Sequence, residues 1–132
     1  MIMKNNVVNT ELFMNSMNIE KIVNEVKVSE INYELNIKYY IDEFEEEKVL
    51  LKVICDSGFK PNLMFRASLN FDVVVEFEKE VALEDIESNI EDILDSMGSE
   101  ISYLIATLTR SMGGSSLIVP PIVNKIEKLE NN

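Results

Sequence analysis

The sequence predicts an α+β fold in which a four-stranded antiparallel sheet is covered on one face by a long C-terminal helix. From Ile31 to Phe77, apolar residues recur at nearly every second position, which is typical of strands with one buried and one solvated face. From Ile86 to Met112, the apolar spacing changes to three and four residues, which is typical of an amphipathic helix. The apolar face of the sheet needs a cover, and this helix is the segment that can supply it.

The first strand is predicted between Ile19 and Val28, where apolar and charged residues alternate in part. A bend at Ser29 or Glu30 would then lead directly into the second strand. The residues up to about Asn15 show no clear pattern, and we predict that they are peripheral.

Strands two, three and four are predicted over Ile31–Ile41, Lys48–Cys55 and Leu63–Glu78. The acidic run Asp42–Glu47 is expected to form the hairpin loop between strands two and three. The turn-forming residues within Asp56–Asn62 are expected to separate strands three and four. Because the fourth strand is unusually long, a bend or a β-bulge is expected in it.

The helical pattern is interrupted at Gly98 and ends at Gly113-Gly114. The apolar stretch Ser115–Val123 contains the pair Pro120-Pro121, which forbids a regular helix or a central strand. The tail of residues 124–132 could form a short terminal helix and is predicted to be peripheral. No repeat or linker divides the chain, so its 132 residues are predicted to form a single domain.

The composition restricts the class of partner. The net charge is −12, from 24 acidic and 12 basic residues. This charge disfavours nucleic acid and anionic membranes and favours basic partners, unless it serves solubility alone. No apolar run approaches the length of a transmembrane helix, and no secretory signal is expected at the N-terminus. The single cysteine, Cys55, fits a cytoplasmic location.

The sequence does not predict catalytic or cofactor chemistry. It contains no histidine, the commonest general base and metal ligand, and no Gly-rich phosphate loop. Cys55 lies at an apolar strand position, so burial is expected rather than reactivity. The run Asp42–Glu47 lacks the ligand spacing and central glycine of an EF-hand loop. We therefore expect a protein that is not an enzyme and that has no metal site or cofactor.

The order of elements, four strands followed by a helix and a proline-containing apolar segment, resembles the SecB family. Proteins of this family have a long helix that ends in a basic residue and glycine, followed by a short apolar stretch with a proline. The residues here in those places are Arg110, Gly113, Gly114, Leu117 and Pro120. The segments Lys48–Cys55 and Leu63–Phe77 are similar to the family's central strands in length and order. The similarity covers residues 17–123.

The resemblance implies a homotetrameric export chaperone, built as a dimer of dimers, that holds unfolded polypeptides in surface grooves without using a nucleotide. It also implies delivery of these clients to the translocation motor ATPase. Relatives serve as chaperones of antitoxins, so the alternative is a dedicated binding or adaptor module with one tight partner. SecB proteins have a long crossover connection between strands one and two, for which only Ser29 and Glu30 are expected here.

Candidate peptide-binding residues are the apolar side chains expected at the margin between sheet and helix. They are Phe13, Met14, Tyr103, Leu117, Ile118, Val119 and Ile122. The alternative for each is that it closes the core or a subunit interface. The unbranched side chains of Met14, Met17, Met97 and Met112 could line an adaptable binding surface or fill the core.

Overall fold

The computed structural model describes residues 6–22, 32–60, 64–113 and 117–129. The elements within them are β1 (Val7–Ile22), β2 (Asn32–Glu45), β3 (Lys48–Lys60), β4 (Met64–Phe77), α1 (Leu83–Ser88), α2 (Ile90–Leu94), α3 (Met97–Gly113) and β5 (Lys125–Lys128).

The strands form one mixed sheet in the order β1-β4-β3-β2-β5. The pairs among the first four strands are antiparallel, whereas β5 runs parallel to β2. β2, β3 and β4 follow one another as neighbours while β1 lies beside β4, which is a Greek-key arrangement. The prediction of four antiparallel strands was therefore incomplete, because the C-terminal tail adds a fifth strand that runs parallel to its neighbour β2.

The first strand begins much earlier than predicted. β1 starts at Val7, so residues 7–15, which were expected to be peripheral, are paired with β4. Its register shifts twice, once just after Val7 and once between Met14 and Ser16. A bulge changes which alternate residues face the core, and this change hides the strand pattern in the sequence. The remainder of the predicted strand, residues 23–28, lies outside the described residues.

The connection from β1 to β2 also differs from the prediction. The two strands are not neighbours, because β4 and β3 lie between them. The chain must pass from the end of β1, which pairs with Met64, to the start of β2, which pairs with Lys60. Three strand spacings separate these two ends, which amounts to about 14 Å. Residues 23–31, which connect them, lie outside the described residues. The predicted bend at Ser29 or Glu30 lies outside the described residues.

The hairpin between β2 and β3 has a tighter turn than predicted. β2 continues to Glu45 and β3 begins at Lys48, so most of the acidic run belongs to the strand and only Glu46 and Glu47 form the turn. These carboxylates therefore lie along and beyond the end of β2, at one end of the sheet.

β3 extends past its predicted end at Cys55 as far as Lys60. The expected turn residues Asp56–Gly58 instead pair with both β2 and β4, because two neighbouring ladders override their local turn preference. Positions 61 and 62 of the predicted turn lie outside the described residues. β4 pairs with β3 without a register shift, so the irregularity expected in β4 falls in β1 and, at Ile41, in β2.

The predicted helical cover is confirmed, although its break is misplaced. The chain leaves the helix at Asn89 and again at Asp95 and Ser96, whereas Gly98 lies within the first turn of α3. The buried helical residues join the inward residues of β2, β3 and β4 in one core. They are Ile86, Ile90, Ile93, Leu94, Met97, Ile101 and Ile105. Among the described residues, no helix is long and apolar enough to cross a membrane.

The segment of residues 117–124, which we call the strap, runs back along α3 from its C-terminal end. The Leu117 N–H donates to Thr109 Oγ1 at 2.8 Å, and Ser102 Oγ donates to the Val119 carbonyl at 2.7 Å. At the N-terminal end of α3, the backbone of Pro121 lies directly against Gly98. The strap thus follows the helix for most of its length.

The strap ends by joining the sheet. The Asn124 N–H donates to the Leu35 carbonyl at 2.8 Å, and the Leu35 N–H donates to Asn124 Oδ1 at 2.9 Å. This reciprocal pair places the following residues beside β2, where they form β5. The tail therefore forms an edge strand over Lys125–Lys128, where a short terminal helix was expected. Residues 130–132 lie outside the description.

Cys55 is buried as predicted, and this burial raises the pKa of its thiol to about 12. We expect the native chain to react with Ellman's reagent at pH 8 at least about 100-fold more slowly than the urea-unfolded chain, because the thiolate is the nucleophile.

The raised pKa of Cys55 also makes stability depend on pH, because the folded state keeps the thiol proton to a higher pH than the unfolded state does. The free energy of unfolding should therefore fall as the pH rises above about 9. In Cys55→Ala this fall should be shallower, and equal slopes in the two chains would contradict the assignment.

Candidate functional site

The helices cover only part of the apolar face of the sheet. We call this the inner face. On β4, Phe71 is 4% exposed, whereas Met14, its partner on β1, is 46% exposed. One step along, Leu69 is fully buried and its partner Met17 is 39% exposed. Paired residues lie on the same side of a sheet. The helical cover therefore ends between β4 and β1, and the apolar face continues beyond it.

The uncovered inner-face side chains of β1 form what we call the β1 apolar strip. Its members are Leu12, Met14, Met17 and Ile19. Leu12 and Ile19 are half-buried against the core, and the two methionines between them are exposed. Methionine side chains adapt to irregular partners because they are unbranched and polarisable. The strip is thus an adaptable apolar surface that is continuous with the core.

On the opposite, outer face of the sheet, charged side chains of β3 and β4 form ion pairs. Lys52 Nζ lies 2.7 Å from Asp72 Oδ1, and Arg66 lies 2.7 Å from Asp56. Hydrogen bonds from Lys52 and Asn15 lower the pKa of Asp72, which remains ionised. These ion pairs give the outer face a more polar character than the inner face.

Phe13 lies on this outer face, opposite Asp72, although Met14 next to it faces inward. Adjacent residues on a strand point to opposite sides, so the structure separates these two candidates. Phe13 is exposed but does not belong to the β1 apolar strip.

The other predicted candidates lie on α3 and the strap. Tyr103 is 70% exposed on the solvent side of α3, and Ile118 and Ile122 project from the strap into solvent. Leu117 is half-buried against the core. Val119 is only 2% exposed and its backbone is held by Ser102, so in this structure it closes the core.

Sequence reasoning missed Leu12 and Ile19 as site residues and treated Met17 only as a general alternative. The alternation of apolar residues is present in β1, but the bulge after Met14 divides it into two short halves. Even-numbered positions of β1 face inward from Thr10 to Met14, and odd-numbered positions face inward from Met17. Only knowledge of the intervening bulge would have joined the two halves into one surface.

A cluster of carboxylates occupies one end of the sheet. A hydrogen bond with Glu46 and the negative charges of Glu46 and Glu47 raise the pKa of Glu80. In the part of the chain that the structure describes, no group of three or more Asp, Glu, Cys or His residues is placed to hold a metal ion. The like charges of Glu46, Glu47 and Glu80 give this end of the sheet a negative surface potential.

The sheet and the helices on its inner face have the fold of a SecB-like chaperone. A solved structure of the SecB-like chaperone Rv1957 from Mycobacterium tuberculosis, in complex with a ChAD peptide from the Rv1956 HigA1 antitoxin, matches the chain with a TM-score of 0.67. The match covers 89% of this chain and 91% of the other at 10% sequence identity. The resemblance in fold that the sequence predicted is thus confirmed.

No protein-family model matches the chain, and no curated protein matches its sequence. At 10% identity the similarity to the chaperone is one of fold.

Proposed function

We propose that this protein is an ATP-independent holdase chaperone that binds unfolded or extended polypeptides. The observation that carries the proposal is the β1 apolar strip, where the core face of the sheet emerges into solvent beside an edge strand. An extended client segment that lies along β1 can pair with its backbone and place alternate side chains on Met14 and Met17. Neither catalysis nor a cofactor is part of the proposal.

The electrostatics and the comparison support this proposal. The net charge of −12 attracts basic segments at long range and repels nucleic acid and anionic membranes. The similar chaperone from M. tuberculosis was solved with a bound antitoxin peptide, so in that protein the fold carries a peptide site. We propose a cytoplasmic location for the same activity in this chain.

The second candidate is a dedicated chaperone or adaptor with a single client. The observation that favours it is again the antitoxin peptide in the similar structure. A dedicated binder would recognise one sequence tightly and would show little activity towards unrelated unfolded proteins.

We further propose that the chain assembles as a dimer of dimers. This assembly is proposed from the family resemblance, and the edge of β1 is left to the client. The mass of the free protein, from light scattering coupled to gel filtration, distinguishes tetramer, dimer and monomer. Delivery of clients to the translocase motor ATPase is proposed from the family resemblance.

The holdase activity is tested by the aggregation of reduced insulin, followed by light scattering without nucleotide. We expect almost complete suppression of insulin aggregation at about one oligomer of this protein per insulin molecule. The reason is that the β1 apolar strip covers the insulin segments that would otherwise associate. An unrelated acidic protein at equal concentration serves as the control for charge. Unchanged scattering would exclude a general holdase, and tight binding of one partner alone would then favour the dedicated binder.

A further inference from the structure

The edge of β2 is occupied by a short piece of the chain's own C-terminus. β5 spans four residues, Lys125–Lys128, against the fourteen of β2. It is also the one parallel pair in the described sheet. Parallel ladders are slightly less stable per residue than antiparallel ones. The contact that closes this edge is therefore small relative to the strand that it covers.

The side chains of β5 contribute little to the core. Ile126, which pairs with Ile37, is half-buried, whereas Lys125, Glu127 and Lys128 are exposed. An ion pair joins Lys128 to Glu87, and exposed pairs of this kind stabilise a structure only weakly. One apolar side chain, a few backbone hydrogen bonds, the side chain of Asn124 and one exposed ion pair thus hold β5 in place.

β2 continues beyond the end of β5. Backbone pairing with the tail reaches Tyr39, whose carbonyl accepts from the Leu129 N–H at 2.7 Å. Residues 40–45 of β2 extend past this point, and within the described ranges no strand pairs with them on that side. A longer strand placed on the same edge would therefore find backbone partners that β5 does not reach.

The charge at this end of β2 indicates the chemistry of such a strand. Asp42, Glu43 and Glu45 lie in the part of β2 that β5 leaves open, and Glu46 and Glu47 follow in the turn. β5 itself has Lys125 before its single inward apolar residue, Ile126, and Glu127 and Lys128 after it. A segment with lysine or arginine residues around an apolar residue matches this edge in both charge and pattern.

We propose that the edge of β2 is a second polypeptide-binding site, which an extended basic segment of a client occupies by displacing β5. This inference rests on the proposed holdase function and adds to it a site at the opposite edge of the sheet from β1. β5 competes as a tethered strand at high effective concentration. A client segment displaces β5 because it pairs with more of β2 and places its basic side chains beside the acidic residues of positions 42–47.

The test fixes β5 in place with a disulfide. Asn36 and Lys125 are paired across β2 and β5, at the Cα separation that a disulfide accepts. The double variant Asn36→Cys/Lys125→Cys is compared in its oxidised and reduced forms. The probe is reduced and carboxamidomethylated ribonuclease A, a basic, unfolded protein without free thiols, and its Kd is measured by fluorescence anisotropy.

We expect the oxidised form to bind this probe at least about tenfold more weakly than the reduced form, because the locked tail blocks one of two linked sites. The matched control is Ile54→Cys/Asn70→Cys, which joins the paired strands β3 and β4 and leaves both sheet edges open. Because this disulfide does not hold β5 against β2, the affinity of the control variant for the probe should not depend on oxidation. In the full-length variant Ile126→Asn, which weakens the hold of β5, the affinity should rise.

The outcomes separate this inference from the proposed function. If both redox forms of Asn36→Cys/Lys125→Cys bind the probe with the same Kd and Ile126→Asn leaves the Kd unchanged, the β2 site is excluded while the holdase function stands. If the wild-type chain binds neither this probe nor reduced insulin, the holdase function itself is excluded.

Discussion

Replacing Met14 and Met17 together by serine is expected to weaken the binding of an unfolded client roughly 30-fold. Both side chains are exposed on the β1 apolar strip, so their loss removes guest contacts rather than core contacts. Covering a half-exposed methionine contributes about 1 kcal/mol, and two such contributions of about 2 kcal/mol correspond to roughly a 30-fold change in Kd. The measurement is the Kd for alkylated ribonuclease A in the folded variant.

The matched control is Phe13→Ser, because Phe13 is an exposed apolar residue on the same strand but on the opposite face. We expect its effect on the Kd to stay within about twofold, since a truncation outside the binding surface changes little. Urea unfolding of both variants checks that each is as stable as the wild-type chain. A loss of binding in Phe13→Ser that equals the loss in the double variant would place the client on the outer face instead.

Gly98→Ala is expected to destabilise the chain by about 1 to 3 kcal/mol, in spite of the better helix propensity of alanine. A Cβ at this position would lie 2.5 Å from the Pro121 carbonyl oxygen and 2.8 Å from its carbon. Both are backbone atoms, so the strap has to move as a unit. Its displacement would also strain the hydrogen bond from Ser102 to Val119. Equilibrium unfolding in urea gives the change in free energy.

Ser99→Ala provides the comparison for this substitution. Ser99 is an exposed neighbour in the same helical turn, where a change of side chain meets no backbone. Its unfolding free energy should stay within about 0.5 kcal/mol of the wild-type value. A Gly98→Ala chain that is as stable as Ser99→Ala would show that the strap does not pack against α3 as described.

The sequence predicts those parts of the fold in which pattern and burial coincide. Along β2 and β4, the inward positions are apolar and most of them become buried core residues, as for Leu35, Ile37 and Val73. The helical segment was found for the same reason, since Ile101 and Ile105 face the sheet at helical spacing. In these elements the local periodicity and the tertiary environment agree.

The two edge strands escaped prediction for physical reasons. In β1 the bulge after Met14 reverses the inward parity, so neither half of the strand shows a long alternation. In β5 a single inward residue, Ile126, gives no periodicity at all. Its position depends on the reciprocal hydrogen bonds between Asn124 and Leu35, which are remote in sequence and invisible to any local pattern.

The candidate site was only partly predictable. Met14 was recognised as an apolar residue at the margin between sheet and helix. Its exposure, however, depends on where the helices stop covering the sheet. That boundary is a property of helix packing and not of β1 itself. Val119 shows the reverse, since an apolar residue next to two prolines becomes buried once the strap lies along α3.

The Greek-key path means that β1, which is synthesised before the other described strands, pairs with β4 and not with the next strand in sequence. Val7 meets Phe77, so a nascent chain leaving the ribosome carries β1 unpaired until β4 has emerged. Non-local contacts of this kind close slowly, because the loop entropy is lost before the contact is gained. The β2–β3–β4 meander can form first. Until β1 docks, the edge of β4 and its large aromatic residues stay open, which exposes the newborn protein to the same association that it is proposed to prevent in others.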